Sequence, residues 1–195
     1  EGLARAACAG EVNGEVVDLR TVLDSDCELN ILTAKDEEGL AVLRHTASHV
    51  MAQAVQNLYP EAKVAIGPSI DTGFYYDFDH EPFSREDLDT IEKEMKKIIK
   101  KGAKIERFTK SREDAIAYFK EKNEPYKVEL IEDLPEGEEI SFYSQGDWTD
   151  LCAGPHLMSV KPVKAFKLLS SSSAYWRGSE KNAMLTRIYG TAYAT

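Results

Sequence analysis

"DEEGLAVLRHTASHVMAQAVQNLYP", residues 36–60, is the stretch on which the fold turns. Leu40, Leu43, Ala47, Val50, Met51, Ala54 and Leu58 recur at the three- and four-residue spacing of one helical face. Asp36, Glu37 and Glu38 crowd the first turn, where negative charge meets the helix dipole favourably, and Pro60 stops the helix. The spacing predicts a helix from about Asp36 to Tyr59. At about 100° per residue, His45 and His49 fall opposite the apolar stripe, one turn apart. They are therefore either two solvated histidines or a pair that faces a cleft.

A second stretch repeats the interval. In "DLCAGPH", residues 150–156, Cys152 and His156 also stand four apart. Only four histidines occur in the chain, and three of them lie in these two pairs. His45, His49, Cys152 and His156 are all good zinc ligands, and a site built from two such distant pairs would be assembled by the fold in a cleft. The metalloprotease helix needs Glu directly after its first His; Thr46 stands there, which excludes that class. The second reading needs no metal: His, Asp, Lys and Cys side chains can position a water for hydrolysis. Asp150 lies two residues before Cys152, so on a strand both would face one side.

The chain of 195 residues is long enough for one medium domain with a small appendage, and 43% hydrophobic residues support a real core. Three cysteines, Cys8, Cys27 and Cys152, without close spacing, argue for a reducing, cytoplasmic compartment rather than a disulfide framework. No apolar run reaches transmembrane length, and "EGLARAACAG" lacks the pattern of a signal peptide. A net charge of −10 argues against a general nucleic-acid coat. From Leu157 to Thr195, however, six basic residues face one acid, Glu180, a local +5 that leaves −15 for residues 1–156. Such a basic end either meets a polyanion or decorates a solvated face.

Helices and strands alternate without a βαβ rhythm, which indicates an α+β fold with an antiparallel or mixed sheet around the long helix. Residues 1–35 form a short unit of their own: a helix "GLARAACAG" closed by Gly10, then strands in "GEVVDL" and "CELNIL". About 35 residues are too few for an independent core. "AKVAIG" and "GFYYDFD" read as strands. A helix follows with Ser84 as its cap, Asp87 in the capping-box position, and Gly102 at its end. "KIERFT" reads as a strand, residues from Ser111 as a helix, "YKVELI" as a strand, "EDLPEGEE" as an acidic loop, and "VKAFKLLSSSSAYW" and "AMLTRIYGTAY" as closing strands.

"RHTASHVMAQAV", "AIGPSIDTGFYYDFD", "YKVELI", "DLCAGPH" and "SAYWRGSEKNAMLTRIYGTAY", in that order, resemble the N-terminal editing region of bacterial threonyl-tRNA synthetase. The two paired motifs are shared with alanyl-type editing proteins; "GFYYDFD" and the last stretch point to the threonyl enzyme. The resemblance implies a partial TGS domain of β-grasp type at residues 1–35 and an aminoacyl-tRNA deacylase domain at 36–195, together a fragment of a larger, ATP-binding, cytoplasmic and homodimeric enzyme. The implied activity is hydrolysis of seryl-tRNA(Thr), since serine lacks only threonine's methyl and one methyl is worth about 1–3 kcal/mol of discrimination. The tRNA 3′ end carrying serine and the remaining synthetase domains are the implied partners.

Carried over by motif, the resemblance makes His45, His49, Lys127, Asp150 and Cys152 catalytic, and Tyr75, Tyr76 and His156 substrate-binding. Tyr75 and Tyr76 read equally well as strand core, and Lys127 as a solvent-facing strand lysine. Zinc at His45, His49, Cys152 and His156 is the alanyl-type arrangement; for the threonyl site the resemblance implies ordered water with no cofactor required. A free-standing deacylase, a zinc-dependent ester hydrolase and a non-catalytic RNA-docking module are the alternatives. The expectations are that the four paired residues converge, that residues 1–35 contribute little to the chemistry, and that losing Lys127 or His45 cripples hydrolysis with little loss of folding.

Overall fold

The computed structural model describes all 195 residues. Along the chain run α1 (Gly2–Ala6), β1 (Ala7–Val12), β2 (Glu15–Val17), β3 (Leu29–Thr33) and α2 (Glu37–Leu58). Then come β4 (Lys63–Val64), β5 (Ser69–Ile70), β6 (Gly73–Asp79), α3 (Arg85–Lys101), β7 (Ile105–Thr109), α4 (Arg112–Glu121) and α5 (Pro125–Glu132). The last elements are β8 (Ser141–Gln145), β9 (Trp148–Leu151), β10 (Ala165–Tyr175) and β11 (Met184–Tyr193). Every strand pairing is antiparallel, in three sheets ordered β2-β1-β3, β10-β11-β6-β4 with β5 also on β6, and β7-β8-β9. The α+β class stands, with the sheets antiparallel rather than mixed. No helix is long and apolar enough to cross a membrane.

Helix α2 is the axis of the molecule. Its apolar stripe enters one large cluster with Phe74, Tyr76 and Phe78 of β6, Ile188 of β11 and Leu88, Ile91 and Met95 of α3. Leu43 and Met51 are fully buried there, each worth about 1.5–3 kcal/mol over exposure. Cys8, Ala9 and Leu32 of the N-terminal sheet join the same cluster. The polar face of α2 is covered too. Gln145 Nε2 donates to Gln53 Oε1 at 2.9 Å and Trp148 Nε1 to Gln56 Oε1 at 2.7 Å, so β8 and β9 close over the side that carries the histidines.

Three local readings differ from the structure. The first helix ends at Ala6, because residues 7–12 pair with both β2 and β3 as the central strand of their sheet. "YKVELI" is helical, in α5, begun by Pro125 at a first-turn position where its missing N–H costs nothing. The hairpin β8–β9 was not foreseen, although it turns at Gly146, whose φ of +62° suits glycine. Helix α3 behaves as its sequence indicates: the Asp87 N–H donates to Ser84 Oγ at 3.1 Å, the Ser84 N–H donates to Asp87 Oδ2 at 2.8 Å, and Gly102 ends it with φ of +66°.

Candidate functional site

Helix α2 presents His45 half-buried and His49 buried toward a loop, residues 152–157, that leaves the end of β9. That loop brings Cys152 and His156 against them. One ring nitrogen from each of the three histidines and the Cys152 sulfur lie within 4.8 Å of one another. The ring centroids of His45 and His49 are both 4.1 Å from that of His156. The matched spacing therefore converges on a single centre, and the reading of two solvated histidines is excluded.

Each ring is held from behind. His45 Nδ1 faces the Pro155 carbonyl at 3.2 Å; a carbonyl only accepts, so Nδ1 carries the proton and Nε2 is left with its lone pair. That Nε2 lies 3.4 Å from Cys152 Sγ. His49 Nε2 faces Asp150 Oδ2 at 3.3 Å, and His156 Nδ1 pairs with Thr46 Oγ1 at 3.0 Å. Thr46 Oγ1 also accepts the Leu157 N–H at 3.1 Å, which ties the loop to α2.

Behind His49 stands a buried charge pair. Lys127 Nζ is 2.7 Å from Asp150 Oδ1, and each side chain is only 2% exposed. The approach is close but poorly directed for a hydrogen bond to Oδ1, so it acts chiefly as a Coulombic contact. Tyr76 donates its hydroxyl to Asp150 Oδ2 at 2.7 Å. Lys127 occupies the first turn of α5, where the helix dipole disfavours a cation; Asp150 is what holds it there.

Burial sets the protonation states. It pushes His49 down to about 3 against the opposing pull of Asp150, and pushes His45 and His156 below the ordinary histidine value as well. All three are neutral near pH 7. Burial raises Cys152 to about 12, so it is a thiol and not a thiolate. Burial works against ionisation of Asp150 too, but the Lys127 ammonium, helped by the Tyr76 hydroxyl, outweighs it and holds the carboxyl below its usual range.

The centre opens into a cleft of about 220 Å³ lined by His45, His49, Gly67, Lys127, Asp150 and Cys152 among others. At about 30 Å³ per water, that volume holds several waters or one small molecule. A larger cleft of about 400 Å³ lies on the other side of the loop, between Asp18, Arg20, Arg107 and Tyr143, and does not reach the histidines.

Of the residues expected at the site, His45, His49, Lys127, Asp150, Cys152 and His156 come together, and Tyr76 backs them from the core. Tyr75, its neighbour on β6, projects to the opposite face of the sheet, where the Arg187 guanidinium lies 3.9 Å over its ring. Sequence reasoning missed Thr46, Tyr143, Asp18 and Arg20. Tyr143 packs its ring 4.6 Å from that of His156, and Asp18 Oδ2 accepts both the Tyr143 hydroxyl at 2.7 Å and the His156 N–H at 3.1 Å. No local pattern connects residues 18 and 156; only Thr46, inside the quoted motif, carried a signal.

The donor chemistry fits zinc. Three imidazoles and one thiol converge within 4.8 Å, and each imidazole has a hydrogen-bond partner beside one of its nitrogens, as metal-bound histidines require. His45, His49, Cys152 and His156 would hold the ion. With all four bound, no position is left for water, which makes it a closed, structural kind of site; zinc there would tie α2 to the loop.

Comparison with known proteins converges on one family. Residues 1–33 match the TGS domain, and residues 140–189 match the second additional domain of threonyl and alanyl tRNA synthetases, which takes in Asp150, Cys152 and His156. The chain is 67% identical over 193 residues to a threonine–tRNA ligase of Acetivibrio thermocellus, covering 98% of this chain and 30% of that protein. It is 60% identical to that of Caldanaerobacter subterraneus and 63% to that of Clostridium botulinum, each over 192 residues with the same coverage. It thus spans about 30% of the length of the curated relatives it matches. The chain is thus similar to one stretch of the threonine–tRNA ligases, the stretch that holds a TGS-type segment and the second additional domain.

Proposed function

We propose that this chain hydrolyses the ester of seryl-tRNA(Thr), and so clears serine attached in place of threonine. The observation that carries the reading is the convergence of His45, His49, Cys152 and His156 on a small cleft backed by the buried Lys127–Asp150 pair. A synthetic site separates serine from threonine by one methyl, about 1–3 kcal/mol, so a second, smaller site is needed. The partners in this reading are the 3′ end of tRNA(Thr) and the rest of the synthetase, with residues 1–35 as the TGS-type unit and 36–195 as the hydrolytic domain.

The chemistry proceeds through water. Its oxygen attacks the ester carbonyl carbon while the lone pair of neutral His45 Nε2 takes a proton. Negative charge then grows on the carbonyl oxygen, within reach of the Lys127 ammonium, which Asp150 keeps in place. The bond to the ribose oxygen breaks, the proton passes to that oxygen, and serine and free tRNA leave. Cys152 is a poor nucleophile here, since its thiol stays protonated; it shapes the pocket between His45 and His156.

The test is deacylation of seryl-tRNA(Thr) and threonyl-tRNA(Thr) by the chain and by His45→Ala. The expected result is rapid release of serine, slow release of threonine, and a loss of about 10²–10⁴-fold in the variant. Serine release no faster than the spontaneous rate would leave a tRNA-docking role instead.

A further inference from the structure

The loop that carries Cys152 and His156 has little backbone support of its own. Its first amide, that of Cys152, bonds the Ser141 carbonyl, but those of His156 and Leu157 go to side chains, and no strand or helix covers residues 152–157. Two residues of the N-terminal unit supply what is missing. Asp18 accepts the His156 N–H at 3.1 Å. Arg20 donates to the His156 carbonyl at 3.1 Å, the Leu157 carbonyl at 2.8 Å and the Ile105 carbonyl at 2.6 Å. His156 is thus gripped on both of its peptide groups. Asp18 and Arg20 also hold each other, with Arg20 Nη1 2.8 Å from Asp18 Oδ1. Tyr143, oriented by its bond to Asp18, lies against the turn, where a Cβ on Gly154 would come within 2.1 Å of its hydroxyl.

We propose that Asp18, assisted by Arg20, is a positioning residue for the hydrolytic centre: it fixes the loop so that His156 and Cys152 meet His45 and His49. The proposal rests on the hydrolytic reading for its kinetic consequence and on geometry alone for its structural one. A mere glue between two parts of the molecule would place its bonds anywhere on the shared surface. Three of these bonds converge on His156 and Leu157 of the loop, and the fourth ties Arg20 to Ile105 of the adjoining β7.

The experiment compares Asp18→Ala, Asp18→Asn and Leu32→Ala in the chain as it stands. Leu32 lies in the shared core, and its apolar side chain cannot make the hydrogen bonds that hold the loop, so its loss weakens the same attachment without removing those bonds. Two readouts are taken well below each variant's melting temperature: kcat and KM for seryl-tRNA(Thr), and the rate at which Cys152 is alkylated by iodoacetamide relative to Cys27, followed by mass spectrometry. Misplacing reacting groups by about 1 Å costs up to about 100-fold, so Asp18→Ala is expected to lose at least about tenfold in kcat with KM little changed. Cys152 alkylation should rise several-fold as the loop loosens. Asp18→Asn, which keeps an oxygen acceptor, should restore most of both, and Leu32→Ala should change neither.

Asp18→Ala with parental kcat and parental Cys152 reactivity overturns the proposal, as does Leu32→Ala changing both to the same degree. Should Asp18→Ala fail to fold, Arg20→Lys gives the same comparison, because a lysine cannot reach the three carbonyls together. If the parent chain shows no hydrolysis, the functional reading fails, yet the alkylation rates still decide whether Asp18 sets the loop.

Discussion

Replacing Lys127 by Met isolates the buried pair at the back of the site. The aliphatic stem is kept in volume, so no large cavity complicates the result. Asp150, 2% exposed, then retains only the Tyr76 hydroxyl and His49. Breaking one side of such a pair costs about 3–5 kcal/mol, a large share of the roughly 5–15 kcal/mol that holds a domain together. The sequence alone suggests that Lys127 can be lost with little effect on folding; its burial reverses that expectation.

The cost should depend on pH. His49 is depressed to about 3 in the folded chain, mainly by burial and in part by Lys127. Below its unfolded value of about 6.5 the unfolded chain binds a proton that the folded chain refuses, so the parent loses stability as pH falls from there toward 3. By about pH 5.5 this one group has removed roughly 1.4 kcal/mol. In Lys127→Met, His49 faces Asp150 without a competing cation and can take up that proton as the replacement charge. The gap between parent and variant should therefore narrow by about 1 kcal/mol or more between about pH 8 and about pH 5.5. Urea unfolding followed by circular dichroism at the two pH values measures it, and the His49 imidazole resonances report its proton directly. A difference below about 1 kcal/mol near pH 8, or a gap that widens in acid, would refute the account of the pair.

Further outcomes follow from the same geometry. Cys152→Ser should retain most seryl-tRNA hydrolysis and Cys152→Ala should lose less than His45→Ala; a trapped seryl-Cys152 adduct during turnover would contradict both. Gly67→Ala places a Cβ 2.0 Å from the Tyr76 ring and 2.8 Å from the Tyr75 carbonyl, so it should melt several degrees lower and lose activity, and an unaltered melting curve would count against the packing of the cleft wall. Exhaustive chelation should leave the hydrolysis rate unchanged if the four-donor centre works with water alone, whereas activity that vanishes and returns with added zinc would show that the centre requires the ion.

How much of this was legible depended on how local the signal was. The helix 37–58 and its histidine pair show in the sequence because a turn of helix fixes which side chains share a face. The capping box at Ser84 and the glycine stop at 102 are equally local. "YKVELI" misled because six residues with partial alternation do not separate strand from helix, and the deciding clue, Pro125 ahead of them, precedes the pattern. The same misreading left Lys127 with a solvent-facing alternative, which its 2% exposure removes. Tyr75 and Tyr76 could not be separated until β6 had a core side. Asp18 and Arg20 were invisible: their roles exist only through partners at positions 105, 156 and 157, and an isolated "DLR" resembles any surface turn.

The wide separation of the residues gathered around His156 has a consequence for the order in which the molecule is made. The Asp18–His156 bond closes a span of 138 residues, and His45 meets Pro155 across 110. Contacts that bridge so much chain are reached late, because the entropy of closing the span is lost before any of its bonds can form. As the chain emerges from its N-terminal end, α2 is complete while its histidine face has nothing to cover it; that cover arrives only with β8, β9 and the loop beyond. The reactive centre is therefore among the last features to exist. On the hydrolytic reading, hydrolysis during refolding appears only with the native state and not with its parts.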